Sequence, residues 1–350
     1  MPSALVAAPV AAGVLVLATL PHHWRVGNIA TRSIIAWLLA YNLIYAVNST
    51  VWAGNVDIVV PVWCDISTKV KIGADMGLPG CVLCLARRLN RIARGLPSAG
   101  TDWPHRLLDF MLCMGFPVVI MALHVIVQGH RFDIVENIGC LPAIYISLPS
   151  VIILDVSAFI PASLALVYCS SASVRLWRRR LAFRKVVEIC DDGLADSMTA
   201  PRYIRLMVMT FCLGTWNAVL VSISAANEYS GGLQPWVSWA FVHDDFGNIG
   251  LFPAAKFSPG AKHYLYILWW AVPMSSLCFF VFFGLGADAM QDYRGVVAWL
   301  LRGTRRGRRP GPQPITSTLD LLKSTSTCAS DSQAQCANLY KDLPPLPYDV

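Results

Sequence analysis

Four stretches of this chain, residues 4–20, 33–53, 206–226 and 265–287, run without a charged side chain. Crossing a bilayer's hydrocarbon core takes roughly 20 apolar residues of helix, which is the length of these runs. In lipid every backbone amide must find its partner within the protein, so uninterrupted apolar runs of this length read as helices. Two further segments qualify with one polar interruption each. Residues 110–127 contain His124, and residues 143–174 contain Asp155 at their centre, with kinks expected at Pro149 and Pro161. A seventh, residues 61–92, is apolar from Cys81 onward but opens with Asp65, Lys69, Lys71 and Asp75. Composition supports the reading: 55% of the 350 residues are hydrophobic and 14% are charged. A mean hydropathy of +0.52 is more than a soluble core can hide. The expected fold is an all-α, seven-helix transmembrane bundle over residues 1–289. A disordered cytoplasmic tail is expected over residues 290–350, where Arg gives way to Ser, Thr and Pro with little to bury.

Basic residues give an orientation. No Lys or Arg precedes Arg25, so the first run lacks the basic lead-in of a cleaved signal and reads as the first transmembrane helix. The first, third and fifth loops carry Arg25 with Arg32, five arginines from Arg87 to Arg106, and eight basic residues from Arg175 to Arg205. The second carries none, the fourth Arg131, and the sixth Lys256 and Lys262. The positive-inside rule then places the N-terminus outside and the C-terminus in the cytoplasm. The net charge of +7 follows from this asymmetry and points to membrane lipid, not to nucleic acid, for which the sequence has no motif.

A charge facing lipid at mid-bilayer costs several kcal/mol, so charges inside a span face a cavity or a partner, or lie near an interface. Asp65 and Lys69 are four residues apart, as are Lys71 and Asp75, so on a helix each pair can meet on one face. One reading is a water-accessible cleft, open to the outside and lined by these four side chains. The other starts the helix near Ile72 and leaves them as solvated loop charges.

The order "LPHHWRVGN", "AVNSTVW", "PVWCDISTKVKIGADMGLP" and "LCLARRL" resembles the N-terminal third of the fungal lipopeptide mating-pheromone receptors. These are the a-factor receptor type, found as B mating-type receptors in basidiomycetes. "GCLPAIYISLPSV", "RYIRLM", "PWVSWAFVHDDF" and "WWAVPMSSLCFFVFFGLG" extend the resemblance to about Ala289. It implies a plasma-membrane G-protein-coupled receptor that binds a farnesylated peptide pheromone outside and activates a heterotrimeric G protein alpha subunit inside. A prenylated peptide needs polar groups and an apolar slot. The first is offered by Asp65, Lys69, Lys71 and Asp75, the second by Trp236 and Trp239 with His243 in the last outer loop, residues 227–263. Interfacial anchoring explains the two tryptophans equally well.

In this topology Cys64 and Cys140 are the two of eleven cysteines on the oxidising side. By analogy with other seven-helix receptors they are candidates for a disulfide; two unpaired thiols are the alternative. Arg87 and Arg88, Arg178, Arg179 and Arg180, and Arg202 and Arg205 are the candidate G-protein-coupling residues at the inner mouth, although topology alone makes inner loops basic. Two features depart from the family: the sixth helix has Gly214 and no proline, and Asp155 stands mid-membrane in the fifth. They keep open a receptor-like paralogue that does not discriminate mates. A seven-helix transporter or channel is the competing class, against which stand the odd helix count and the lack of internal repeats. His243, Asp244 and Asp245 lack a second histidine, and "CVLC" at 81–84 lies within a span, so no metal site is expected. No cofactor or enzymatic motif is expected either.

Overall fold

Among the described residues seven helical rods follow one another, and short-range chemistry sets where several of them begin. The structure is a computed structural model that describes residues 2–94, 103–187, 199–285 and 290. Of the expected tail, residues 290–350, all but Met290 lie outside the described residues. Met1–Arg178 with Asp196–Val296 form one compact unit, whose architecture follows; Arg179–Ala195 with Val297–Val350 form a second, of which the described part, residues 179–187, is helical.

Helix α1 (Pro2–Val26) turns into α2 (Ile29–Val51) through Gly27, whose φ of +71° suits a residue without Cβ. The Asn28 side chain accepts the Ala30 N–H at 3.2 Å and caps α2. Helix α3 (Pro61–Ala93) opens on proline, whose missing N–H costs nothing in a first turn. It therefore begins a full three turns before Ile72, and all four charges of its first half lie on helix. Helix α4 spans Trp103–Val127, with a π turn at Met111–Gly115 and a final 3-10 turn at His124–Val127. Helix α5 runs from Leu148–Ser150 through a π turn, Val151–Val156, into Ser157–Val187. Pro149 sits in its first turn, where proline is tolerated, so the irregularity expected there appears instead as the π turn that follows. Helices α6 (Thr199–Glu228) and α7 (Pro259–Gly284) complete the set.

Six rods are long and apolar enough to cross a membrane; the seventh, α3, fails on hydropathy because of its charged half. At 33 residues it measures about 50 Å, longer than a hydrocarbon core. It is also the most interior rod. Val82 and Leu85 of α3 share one core with Ile34 and Leu38 of α2, Ala165 and Cys169 of α5, Met209 and Leu213 of α6, and Phe279 of α7. Helices in lipid associate through close packing and not through water exclusion, so small residues matter where rods meet. A Cβ on Gly80 would stand 2.5 Å from the Leu112 carbonyl oxygen of the α4 π turn. Gly80→Ala is expected to cost about 1–3 kcal/mol by overpacking, read as a lower unfolding temperature in detergent. Nearby, Pro117 cannot donate to the carbonyl of Cys113 four residues back; the Trp37 indole N–H takes that carbonyl at 3.0 Å.

The loops add a small sheet that the all-α expectation omits. Strands β1 (Phe132–Val135) and β2 (Gly139–Leu141) form an antiparallel hairpin, and β3 (Ile249–Phe252) pairs with β1 in parallel. Strands of three and four residues leave no readable alternation, and the β1–β3 pairing joins loops far apart in sequence. Cys140 of β2 is bonded to Cys64 of α3, and Arg131 beside β1 donates to both Asp65 oxygens at 2.9 and 2.5 Å, so the sheet is tied to the start of α3.

His130 donates to Asp133 of β1 at 2.6 Å, and this carboxylate raises the histidine pKa above its ordinary 6.5. The stabilisation is therefore fully present below pH 6.5 and fades as pH rises through the raised value. With both side chains partly solvated it amounts to less than about 1 kcal/mol. Amide exchange in β1 is expected to quicken across that rise, and His130→Gln to remove the pH step.

Candidate functional site

A cavity of about 330 Å³ lies between α2, α3, α5, α6 and α7, in the halves of these rods nearer the β sheet. Its walls are mostly apolar, among them Ile72 and Met76, Leu154, Leu220, Leu268 and Trp269. Ile138, Leu141, Pro142 and Ile144, from the β hairpin and the chain after it, line its end nearer the sheet. Into this apolar space come one ammonium group, Lys71, and three carboxyl groups, Asp75, Asp155 and Glu228.

Each polar group is held by a different element. Lys71 is 3% exposed; its Nζ donates to the Cys140 carbonyl at 3.1 Å and lies 5.2 Å over the Tyr45 ring. Tyr45 in turn stacks on Trp269 with ring centroids 5.2 Å apart. Asp75, one turn deeper on α3, accepts the Tyr41 hydroxyl at 2.9 Å. Although it lies mid-helix it is exposed, and what it is exposed to is the cavity it lines. Asp155 belongs to the π turn of α5 and accepts the Tyr229 hydroxyl of α6's end. A π turn inserts an extra residue into the helical frame and re-aims side chains, a device frequent at functional sites. Trp269 is 1% exposed and its indole N–H has no hydrogen-bond partner among the described residues, which leaves a donor in the cavity wall.

The four charges of α3 do not act as two i,i+4 pairs. Lys71 and Asp75 line the cavity, whereas Asp65 and Lys69 are on another flank of the helix. There Asp65 is bound by Arg131, and Lys69 Nζ donates to Gln128 Oε1 at 2.6 Å and meets His124 Nδ1 at 2.8 Å. The end of α4 and the residue before β1 supply partners that sequence spacing could not reveal. Trp236, Trp239 and His243 also lie apart from the cavity, against the last turn of α4. Trp236 Nε1 donates to the Ile126 carbonyl at 3.2 Å. The His243 ring stacks on Trp239 at 4.0 Å, with its Nε2 2.8 Å from the Val125 carbonyl. The structure thus brings Lys71, Asp75 and Asp155 together and leaves the tryptophan loop elsewhere.

At the opposite end, Arg87 donates to Asp109 at 3.2 Å, Arg88 and Arg205 are half-buried, and Arg178 is exposed. Arg179, Arg180 and Arg202 lie outside the described side chains. Sequence reasoning missed Tyr41, Tyr45, Glu228, Tyr264 and Trp269. Glu228 was findable: it stands two residues beyond an uncharged span, at a depth where a carboxylate needs a reason. The aromatic residues were not, since on an apolar helix they read as core.

Residues 4–302 match the family model described as STE3, pheromone A receptor. A pheromone B beta 1 receptor of Schizophyllum commune is 39% identical over 296 residues, 83% of this chain and 54% of that protein. Pheromone receptor 1 of Ustilago hordei is 29% identical over 290 residues, 81% of this chain and 80% of that one. The pheromone a factor receptor of Saccharomyces cerevisiae is 25% identical over 298 residues, 83% of this chain and 61% of its own. The chain spans about half the length of the Schizophyllum relatives it matches. With a match that runs through all seven rods and both sides of the cavity, this multi-pass membrane protein belongs to the pheromone A receptor family.

Proposed function

We propose that this chain is a plasma-membrane G-protein-coupled receptor, N-terminus outside, whose outer cavity binds a farnesylated peptide pheromone. Its cytoplasmic end activates a heterotrimeric G protein alpha subunit. The cavity carries the reading: at about 330 Å³ it falls within the ~300–1,000 Å³ of ligand sites and holds the two chemistries a lipidated peptide needs. Its apolar walls suit the prenyl chain; Lys71, Asp75, Asp155, Glu228 and the Trp269 N–H suit peptide groups. These polar groups come from α3, α5, α6 and α7, so an occupant that bonds them better in one arrangement of the rods than in another shifts the receptor between states. The names of the relatives support a pheromone as that occupant.

Nucleotide exchange on a fungal alpha subunit, with the protein in membranes, tests this against a panel of farnesylated peptide methyl esters and their unfarnesylated forms. Selective, lipid-dependent exchange is the expected outcome. Exchange without peptide would mark a constitutive receptor-like protein, and no exchange under any condition would sink the reading.

The coupling face is assigned to Arg88, Arg178, Arg179, Arg180, Arg202 and Arg205 on the inner ends of α3, α5 and α6. Replacing Arg178, Arg179 and Arg180 by glutamine is expected to lower exchange about tenfold or more while peptide binding stays within about twofold. A proportional loss of both would remove these arginines from the coupling role.

A further inference from the structure

The cavity beneath the hairpin has a donor side and an acceptor side. On the first, Lys71 Nζ lies 5.2 Å over the Tyr45 ring, which stacks on Trp269. The Trp269 indole N–H, in a side chain 1% exposed, has no acceptor among the described residues. On the second stand Asp155, in the π turn of α5, and Glu228, the last residue of α6. Tyr229 donates to Asp155, while Ser224 and Tyr264, which line the same wall, share a hydrogen bond at 3.2 Å. Tyr264 lies within electrostatic reach of both carboxyl groups. Glu228 itself has neither a hydrogen bond nor a salt bridge among the described residues, and the charges that act on it are those of Asp155 and Asp75.

The charges do not balance. Three carboxyl groups line the cavity against one ammonium. Lys71 is the cation that acts on Asp75, one turn away on α3, so Asp155 and Glu228 are left with no cation among the lining residues. Carboxylates in an apolar enclosure are costly unless a positive charge meets them. The Trp269 donor is a separate observation with its own demand, because a buried N–H without an acceptor forfeits the bond it makes in water. One occupant satisfies both if it brings a carbonyl oxygen to the donor side, a cation to the acceptor side and an apolar chain to the walls.

We propose that Asp155 and Glu228 form a cation subsite, which takes an amine or guanidinium that the lipidated peptide carries close to its prenylated residue. The inference rests on the receptor reading above for the kind of ligand, and adds the charge that ligand must bear. A cavity of about 330 Å³ holds few residues beside a prenyl chain, which is why the cation lies near it. Lys71 and the Trp269 N–H take backbone or ester oxygens of the same peptide. Asp155 and Glu228 are then specificity-determining residues, rejecting a peptide that leaves them buried without a cation.

The test uses the full chain in detergent and three N-acetylated dipeptide methyl esters whose second residue is S-farnesylcysteine and whose first is lysine, norleucine or glutamate. Dissociation constants are read from the rise of the unfolding temperature with probe concentration, with no G protein present. The lysine probe is expected to bind at least about tenfold more tightly than either of the others. Glu228→Gln and Asp155→Asn should each bring lysine and norleucine to within about threefold while norleucine binding stays within about twofold, a pattern that a folding defect does not produce. Asp57→Asn, at an exposed carboxyl in the α2–α3 loop, should leave the preference intact. Glu228→Lys should turn the preference toward glutamate. Equal binding of the three probes, binding of none, or an effect of Asp57→Asn as large as that of Glu228→Gln would overturn the subsite. A preference of the unaltered chain for glutamate would assign recognition to Lys71 instead. Nucleotide exchange separates the two readings: a chain that sorts the probes by charge yet activates no alpha subunit fails only as a receptor, and one that responds to farnesylated peptides whatever their charge loses only the subsite.

Discussion

Replacing Lys71 with alanine is expected to raise the peptide concentration for half-maximal nucleotide exchange by roughly 30- to 150-fold, from a loss of about 2–3 kcal/mol at a buried, hydrogen-bonded charge. Among the described residues Lys71 is the one cation lining this cavity, and it is fixed there by the Cys140 carbonyl and the face of Tyr45. On the proposed reading, removing it deprives the peptide of a charge partner and the roof of one of its ties to α3. Lys69 provides the control. It carries the same charge two residues earlier but is committed to Gln128 and His124 outside the cavity, so Lys69→Ala is expected to shift the response by no more than about threefold. Asp75→Asn separates charge from hydrogen bonding, because the amide oxygen can still accept the Tyr41 hydroxyl. Receptor abundance at the surface must be measured alongside. If Lys69→Ala and Lys71→Ala cost the same, the cavity is not where the peptide's polar groups bind.

The second large effect is expected from the disulfide. Replacing both Cys64 and Cys140 by serine removes the covalent tie between α3 and the hairpin that roofs the cavity, across a separation of 76 residues. Cross-links that close loops of this kind are worth typically about 2–4 kcal/mol. The loss should appear as a lower unfolding temperature in detergent, reproduced in the unmodified protein by a reductant. Response should suffer more than stability, because Cys140 also supplies the carbonyl that holds Lys71, and Leu141 and Pro142 beyond it line the cavity. Unfolding curves that coincide with and without reductant would mean that Arg131–Asp65 and the strand pairing hold the hairpin unaided.

Much of the fold was legible before any coordinate. Uncharged runs of membrane-crossing length have few solutions in lipid, and all seven expected segments are helical rods. Helix ends were not read from the sequence: α2 and α7 begin behind the caps Asn28 and Ser258, ahead of the expected residues 33 and 265. Asp155 stood out because a carboxylate in an apolar run requires an explanation, and it lines the cavity. Local rules failed where partners were distant. Spacing on α3 suggested Asp65 with Lys69 and Lys71 with Asp75, yet Arg131 and Tyr41 claim the carboxylates and Gln128 and the Cys140 carbonyl claim the lysines. Exposed i,i+4 pairs are worth only a few tenths of a kcal/mol, less than a bidentate guanidinium or a desolvated hydrogen bond provides.

The sequence by itself determined seven membrane-length helices and a polar half of α3 that had to face something other than lipid, because transfer of backbone and charge into hydrocarbon is too costly to permit alternatives. Tertiary structure alone decided which side chains share a cavity. Lys71, Asp75, Asp155, Glu228 and Trp269 meet because α2, α5, α6 and α7 pack around α3 and a disulfide-held hairpin closes over them. No periodicity within a single helix records that meeting, since it depends on how each rod is rotated against its neighbours, and that rotation is set by close packing at points such as Gly80 against Leu112.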